Sequence, residues 1–288
     1  MKQLNLFIEL TRLKRPIGFM LLFWPCAWGL TLAYDFSNNI NNYFIYLALF
    51  FLGSVLMRSA GCIVNDIYDK EFDKKVERTK NRPIASGEVS INLGIFYTIV
   101  LCSFAFLILV NFNNLTIILA LGSMPLAFTY PLMKRFTYWP QLFLGITFNY
   151  GLILGWTSIN GEISIVPIIL YLGAIFWTLG FDTIYGYQDI KDDEIIGVKS
   201  TSIKFKKNPE LFLILCYLIF IITLITAGIF MKFKHLYFIF LLLPMFHMFF
   251  FQIKSLKIKD PMNCLVIFKK NNFLGFLIFT SILIGRIF

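Results

Sequence analysis

The sequence is poor in charge: Asp, Glu, Lys and Arg make up only 15% of its 288 residues, against 58% that are hydrophobic. A water-soluble domain carries about a quarter charged residues. This chain cannot cover a surface that faces water, so a soluble globular fold is excluded. Histidine is nearly absent, and the two present, His235 and His247, sit apart, which leaves no His-based metal site or catalytic triad. Cysteine is sparse and odd in number: Cys26, Cys62, Cys102, Cys216 and Cys264 are scattered, most of them in or beside apolar runs, with no C-x-x-C spacing. A disulfide framework and a zinc site are therefore not expected. There is no low-complexity stretch and no linker long enough to separate one domain from another, so a single polytopic domain over residues 1–288 is expected.

What fills the chain is apolar helix, at a mean hydropathy of +0.74. A helix needs about 20 apolar residues to cross the hydrocarbon core. Such runs are predicted at 17–33, 43–64, 91–110, 115–132, 141–158, 163–187, 211–230, 236–253 and 271–288, with turn chemistry between them at Asn111–Asn114 and Asn160-Gly161. The fold class is thus an all-α membrane protein of about nine transmembrane helices. Lys2, Arg12, Lys14 and Arg15 ahead of an apolar run look like a secretion signal. No small-residue cleavage site follows, so a retained first helix is expected.

With the N-terminus on the cytoplasmic side, 22 of the 26 Lys and Arg fall on that side. Only Lys232, Lys234 and Arg286 fall opposite, and Arg58 lies inside a helix. This asymmetry sets the expected orientation. It also accounts for the net charge of +10 through anionic lipid headgroups, with no nucleic acid as partner.

Of only 16 acidic residues, seven fall in two short stretches. The first runs Asn65-Asp66-Ile67-Tyr68-Asp69-Lys70-Glu71-Phe72-Asp73, at the cytoplasmic end of the second predicted helix; the second is Asp189-Ile190-Lys191-Asp192-Asp193, at the end of the sixth. At about 100° per residue, Asn65, Asp66, Asp69 and Asp73 share one helical face, and so do Asp182, Tyr185, Asp189 and Asp193. Carboxylates gathered on one face repel each other unless a cation joins them. Mg²⁺ suits hard oxygen ligands and completes its shell with substrate phosphate, so two such helices on one side of the membrane would hold a diphosphate through bridging Mg²⁺. The blander possibility for either stretch alone is a solvated acidic helix end. Acids of a cation-coupled carrier are a further possibility, although a carrier more often uses broken helices near the midplane.

Basic residues flank the same surface: Arg78, Lys80 and Arg82, then Lys134 and Arg135, then Lys199. Such groups supply positive charge to a leaving diphosphate. Arg58 sits deep in an apolar helix, about two turns before Asn65, where an unpaired charge is costly. It is expected to face a cavity, either pairing with an Asp or binding a substrate carboxylate.

These residues resemble the UbiA superfamily of intramembrane prenyltransferases. The two stretches are similar to that family's N-D-x-x-D-x-x-x-D and D-x-x-x-D motifs. Flanking segments resemble the branch that prenylates 4-hydroxybenzoate: Arg15–Gly18 with Phe23-Trp24-Pro25, Met57–Cys62, Asn81-Arg82-Pro83, Tyr130–Arg135, Asp182–Tyr185, Gly197–Thr201 and Lys270-Asn271-Asn272. The resemblance implies helices around a central cavity with cytoplasmic cap loops, and transfer of a polyprenyl chain from polyprenyl diphosphate to 4-hydroxybenzoate in ubiquinone biosynthesis, requiring Mg²⁺. Homogentisate or dihydroxynaphthoate are the alternative acceptors. It implies Asp69, Asp73, Asp189 and Asp193 as metal ligands and catalytic groups. Asn65, Asp66, Arg58, Arg82, Lys134, Asp182 and Tyr185 would bind substrate, and Arg135 would face the diphosphate or the aromatic acid.

Overall fold

Helices in this chain begin where a short polar side chain can take up the free amides of a first turn. Asn39 accepts from the Asn41 amide, Ser90 from Leu93, Asn113 from Thr116, and Asp260 from Met262 and Asn263. Proline, which needs no donor there, opens two others at Pro140 and Pro209 and follows the Asp260 cap as Pro261. The resulting elements, in a computed structural model that describes residues 2–288, are helices throughout. They are α1 (Lys2–Leu10), α2 (Ile17–Ala33), α3 (Ile40–Asp73), α4 (Ile91–Leu109), α5 (Asn114–Thr129), α6 (Pro140–Asn149), α7 (Gly151–Asn160), α8 (Ile165–Gly186), α9 (Ile190–Ile196), α10 (Thr201–Lys204), α11 (Pro209–Phe230), α12 (His235–Phe246) and α13 (Pro261–Ile287). A 3₁₀ turn (Tyr130–Arg135) continues α5, and a π turn (His247–Ile253) continues α12 three residues after Pro244.

Eight helical stretches are long and apolar enough to cross a membrane, the α6–α7 pair counting as one. The ninth, α2, has 17 residues, which at about 1.5 Å each is just sufficient. The chain is a multi-pass membrane protein. Lipid is as apolar as a leucine side chain, so helices in a bilayer associate through close approach at small residues rather than by escaping water. The centre of the bundle is built this way. In α2, every residue of Leu21–Ala33 except Leu22 is buried. A Cβ added to Gly29 would collide with the Leu152 carbonyl, and one on Gly155 with the Cys26 carbonyl, so α2 and α7 touch backbone to backbone. Trp28 donates to the Gly275 carbonyl at 3.0 Å and Trp24 to Asn272 at 2.9 Å, tying in α13. A buried polar chain joins α13 to three further elements: Trp177 of α8 donates to Asn271 of α13, which exchanges hydrogen bonds with Gln252 of the π turn, which accepts from Tyr217 of α11.

By contrast, α4 and α5 stand at the edge. They follow one another through a short turn yet scarcely touch along their lengths, and Ile99, Leu107 and Leu121 are 59%, 61% and 47% exposed.

The helical reading of Asn65 to Asp73 holds: α3 continues in one piece to Asp73, through a stretch with neither Gly nor Pro. Three expectations are corrected. The last span starts not at 271 but at Pro261, capped by Asp260. The fifth is two helices meeting at Tyr150. Finally, Asp182 to Asp193 is not one helix. The chain leaves α8 at Gly186, and Asp189 adopts φ −112°, ψ 9° as the residue preceding α9. An amphipathic α1, which buries Leu6 and Leu10 against Ala60, Ile63 and Ile84, went unpredicted before the first span.

Gly29→Val is expected to lower the melting temperature of the detergent-purified protein, since branched bulk at this contact forces α2 off α7 at a cost of about 1–3 kcal/mol or more. Thermal unfolding followed by circular dichroism reads this directly, with Gly53→Ala, at a position with open space, leaving the transition unlowered.

Candidate active site

The last turns of α3 bury three acids on one face: Asp66, Asp69 and Asp73 are 2%, 3% and 7% exposed. Buried carboxylates are sustained only by opposite charge or several donors, and the fold brings that charge from three segments. Arg12, at a left-handed residue after α1, reaches Asp66 at 2.6 Å. Arg82 spans Asp66 at 3.2 Å and Asp73 at 2.7 Å from the loop after α3. Lys134, in the 3₁₀ turn, reaches Asp69 Oδ2 at 2.5 Å, and Asn65 donates to the same oxygen at 3.0 Å.

The second acidic stretch meets the first through the loop between α3 and α4. Arg78 grips Asp189 with two nitrogens, Nε at 2.7 Å, and lies over the Tyr185 ring, whose hydroxyl is 3.4 Å from the guanidinium. The Lys199 amide donates to the Lys134 carbonyl at 2.9 Å, fastening the end of α9 to the 3₁₀ turn. Asp193 lies within the influence of both Lys134 and Arg78. Burial and the neighbouring Asp189 nevertheless push its carboxyl up to about 7. The two stretches thus share one end of the bundle, and Lys134 acts on both.

Among the described residues no three carboxylates converge into a closed metal cage. A cation that uses one or two carboxylates and fills its shell with water and phosphate needs none. One observation favours such an ion: Asp69 Oδ1 is buried and has no hydrogen-bond partner, a lone pair directed at nothing in the protein. Asp69 therefore offers a free hard-oxygen donor to such a cation, with Asp73 beside it on the same face of α3.

One turn from Asn65 begins a cavity of about 830 Å³, lined mainly by apolar residues of α3 to α7. Arg58, Gly61 and Tyr130 mark its end nearest the acids; Phe106, Leu107 and Leu121 line it where α4 and α5 diverge, so it opens sideways toward lipid. Arg58 faces this cavity, with its guanidinium 5.4 Å from the centre of the Phe148 ring and beside Gly18, and with Nε buried and unpartnered. It forms no ion pair with Asp182, although that acid lies close enough to interact with it.

Most residues singled out in the sequence thus come together: Asn65, Asp66, Asp69, Asp73, Arg82, Lys134, Tyr185, Asp189 and Asp193 at the acidic end, Arg58 in the cavity. Arg135 differs. It donates to the Tyr68 carbonyl at 2.7 Å and packs on Phe72, so it is turned to the outside of α3 and not to a carboxylate. Sequence reasoning overlooked Arg12. Its only signal was a position in an amphipathic segment ahead of the first span. It also did not single out Arg78 from the other flanking cations.

A model of the UbiA prenyltransferase family matches residues 22–278. The chain belongs to this family. It is 40% identical over 282 residues to a mitochondrial 4-hydroxybenzoate polyprenyltransferase of Drosophila pseudoobscura pseudoobscura, covering 98% of this chain and 70% of the relative. It is 39% identical over 290 residues to 4-hydroxybenzoate geranyltransferase 2 of Lithospermum erythrorhizon, covering 100% and 92%. Its fold is that of a UbiA homolog from Aeropyrum pernix K1, at TM-score 0.71 and 21% identity over 93% of this chain and 98% of that one. A UbiA homolog from Archaeoglobus fulgidus, solved with GPP and Mg²⁺, superposes at TM-score 0.68 and 17% identity over 96% and 99%.

A cation that ligates Asp193 must displace its proton below about pH 7. Divalent-cation affinity is expected to rise up to about tenfold per pH unit below that value and to level off above it. Asp193→Asn should flatten the slope. Free Mn²⁺ followed by electron paramagnetic resonance, titrated across that pH range, checks both.

Proposed function

We propose that this UbiA-family chain is a 4-hydroxybenzoate polyprenyltransferase. It transfers a polyprenyl group from polyprenyl diphosphate to the ring carbon ortho to the hydroxyl, with Mg²⁺, as a step of ubiquinone biosynthesis. The reading is carried by one arrangement: an acid-and-cation cluster at one end of an apolar cavity, with an unpaired arginine between them and a cleft toward lipid beyond. The relatives named above act, by name, on 4-hydroxybenzoate whether the group transferred is polyprenyl or geranyl. We further place it as a single polytopic domain in a bacterial cell inner membrane; its Lys/Arg asymmetry supports an orientation with the N-terminus and both acidic stretches cytoplasmic.

Bound at Asp69, Asp73, Asp189 and Asp193, Mg²⁺ would neutralise the diphosphate and make it a better leaving group. Lys134, Arg78 and Arg82, which hold those same carboxylates, exchange some of their contacts for phosphate oxygens and stabilise charge as the allylic C–O bond breaks. The bonding electrons leave with the diphosphate. Arg58 holds the acceptor's carboxylate, which presents the ring to the allylic carbon; the new C–C bond forms, and the ring proton is lost. The mostly apolar lining of the cavity keeps water from the electron-deficient carbon, and its lipid-facing mouth takes the tail.

Asp69→Asn or Asp189→Asn is expected to reduce prenyl transfer about 100-fold or more in a membrane assay; activity within a few-fold of wild type refutes the ligand assignment. Arg58→Ala is expected to raise KM for 4-hydroxybenzoate about tenfold or more while changing kcat less, as loss of a charged hydrogen bond requires. Membranes supplied with several aromatic acids and one polyprenyl diphosphate, with and without EDTA, identify the acceptor by mass spectrometry of the product.

A further inference from the structure

The stripe of α3 that lines the cavity carries Phe50, Gly53, Ser54, Met57, Arg58 and Gly61. Two of these positions have no side chain. Most glycines inside the helices of this bundle are filled by a neighbour: Gly29 by the Leu152 backbone, Gly180 by Tyr217, Gly275 by Trp24. Gly53 and Gly61 are not. A Cβ added at either meets no atom within 4 Å, so no helix contact explains them. Glycine weakens a helix interior relative to alanine; a helix that keeps it beside an empty apolar space is keeping room for a ligand. The buried, unpartnered Nε of Arg58 marks the reacting end of the same stripe.

We propose that Gly53 is the passage for the isoprenoid tail and sets the chain length the site accepts, with Gly61 leaving room for the first isoprene unit. This rests on the prenyltransferase reading above. Gly61 lies between Arg58 and the acids, and Gly53 lies eight residues further from the acids, about 12 Å along α3. A geranyl chain has eight in-line carbons joined by seven bonds, so at about 1.5 Å per bond its contour is at most about 10.5 Å. With its first carbon level with Gly61 it ends at or short of Gly53. An octaprenyl chain is four times as long and has to pass Gly53 to reach the cleft at Phe106 and Leu107.

The test uses the full chain in nanodiscs with 4-hydroxybenzoate and Mg²⁺, and compares octaprenyl with geranyl diphosphate. Gly53→Leu is expected to lower kcat/KM for the octaprenyl donor about tenfold or more, while geranyl transfer stays within about threefold of wild type. Gly53→Ala, which meets no neighbouring atom, shifts the ratio less and in the same direction. Gly122→Leu is the control: Gly122 is equally open but lies on α5 outside the cavity lining, and its variant keeps the wild-type ratio. An octaprenyl-to-geranyl ratio unchanged by Gly53→Leu, or shifted equally by Gly122→Leu, overturns the proposal. Wild-type protein that transfers neither group overturns the prenyltransferase reading itself, whatever Gly53 does.

Discussion

Everything at the functional end of this molecule follows from the cost of burying carboxylates. Asp66, Asp69 and Asp73 are withdrawn from water on the last turns of α3, where each left alone would be protonated or unfold its surroundings. Their neutralisation draws in the segment after α1, the loop after α3 and the 3₁₀ turn after α5, while Asp189 before α9 draws in the same loop. Segments of the chain far apart in sequence meet here because opposite charge is the only thing that makes the acids tolerable. The cluster is also incomplete, with Asp69 Oδ1 unserved. Cations strong enough to hold the fold are, by the same chemistry, suited to receive phosphate oxygens.

Much of this was legible in the sequence. Apolar runs gave the spans, because a bilayer imposes a minimum length that composition alone reveals. The i, i+4 spacing from Asn65 to Asp73 put the first acids on one face because that segment stays helical to its end. The same arithmetic failed from Asp182 to Asp193. Periodicity is blind to a break unless Gly or Pro marks it, and although Gly186 stands at this one, Gly173 and Gly180 lie within α8 without ending it. Partners were harder than ligands. Arg12 and Arg78 look like any positive-inside residue until the fold brings them to Asp66 and Asp189. Arg135 and Lys134 are adjacent in sequence, yet the tight 3₁₀ turn sends one to the Tyr68 carbonyl and the other to Asp69.

Two kinds of glycine divide the labour in the membrane. Gly29 and Gly155 let α2 and α7 come into backbone contact, and Gly151 makes room for the Cys26 side chain, which gives the bundle a rigid centre. Gly53 and Gly61 do the reverse and hold a wall back. Composition cannot separate the two, since both kinds sit in similar apolar contexts, and only the neighbours in space tell them apart.

The divergence of α4 from α5 has a consequence for how such a protein turns over. A ring that arrives small and charged departs fastened to a tail too greasy to dissolve. With a wall open toward the hydrocarbon, the product never has to desorb: it drifts off within the plane of the sheet of lipid where its next handlers reside. Release then depends on two-dimensional diffusion and not on a climb into water, and the thickness and fluidity of the surrounding bilayer enter the rate.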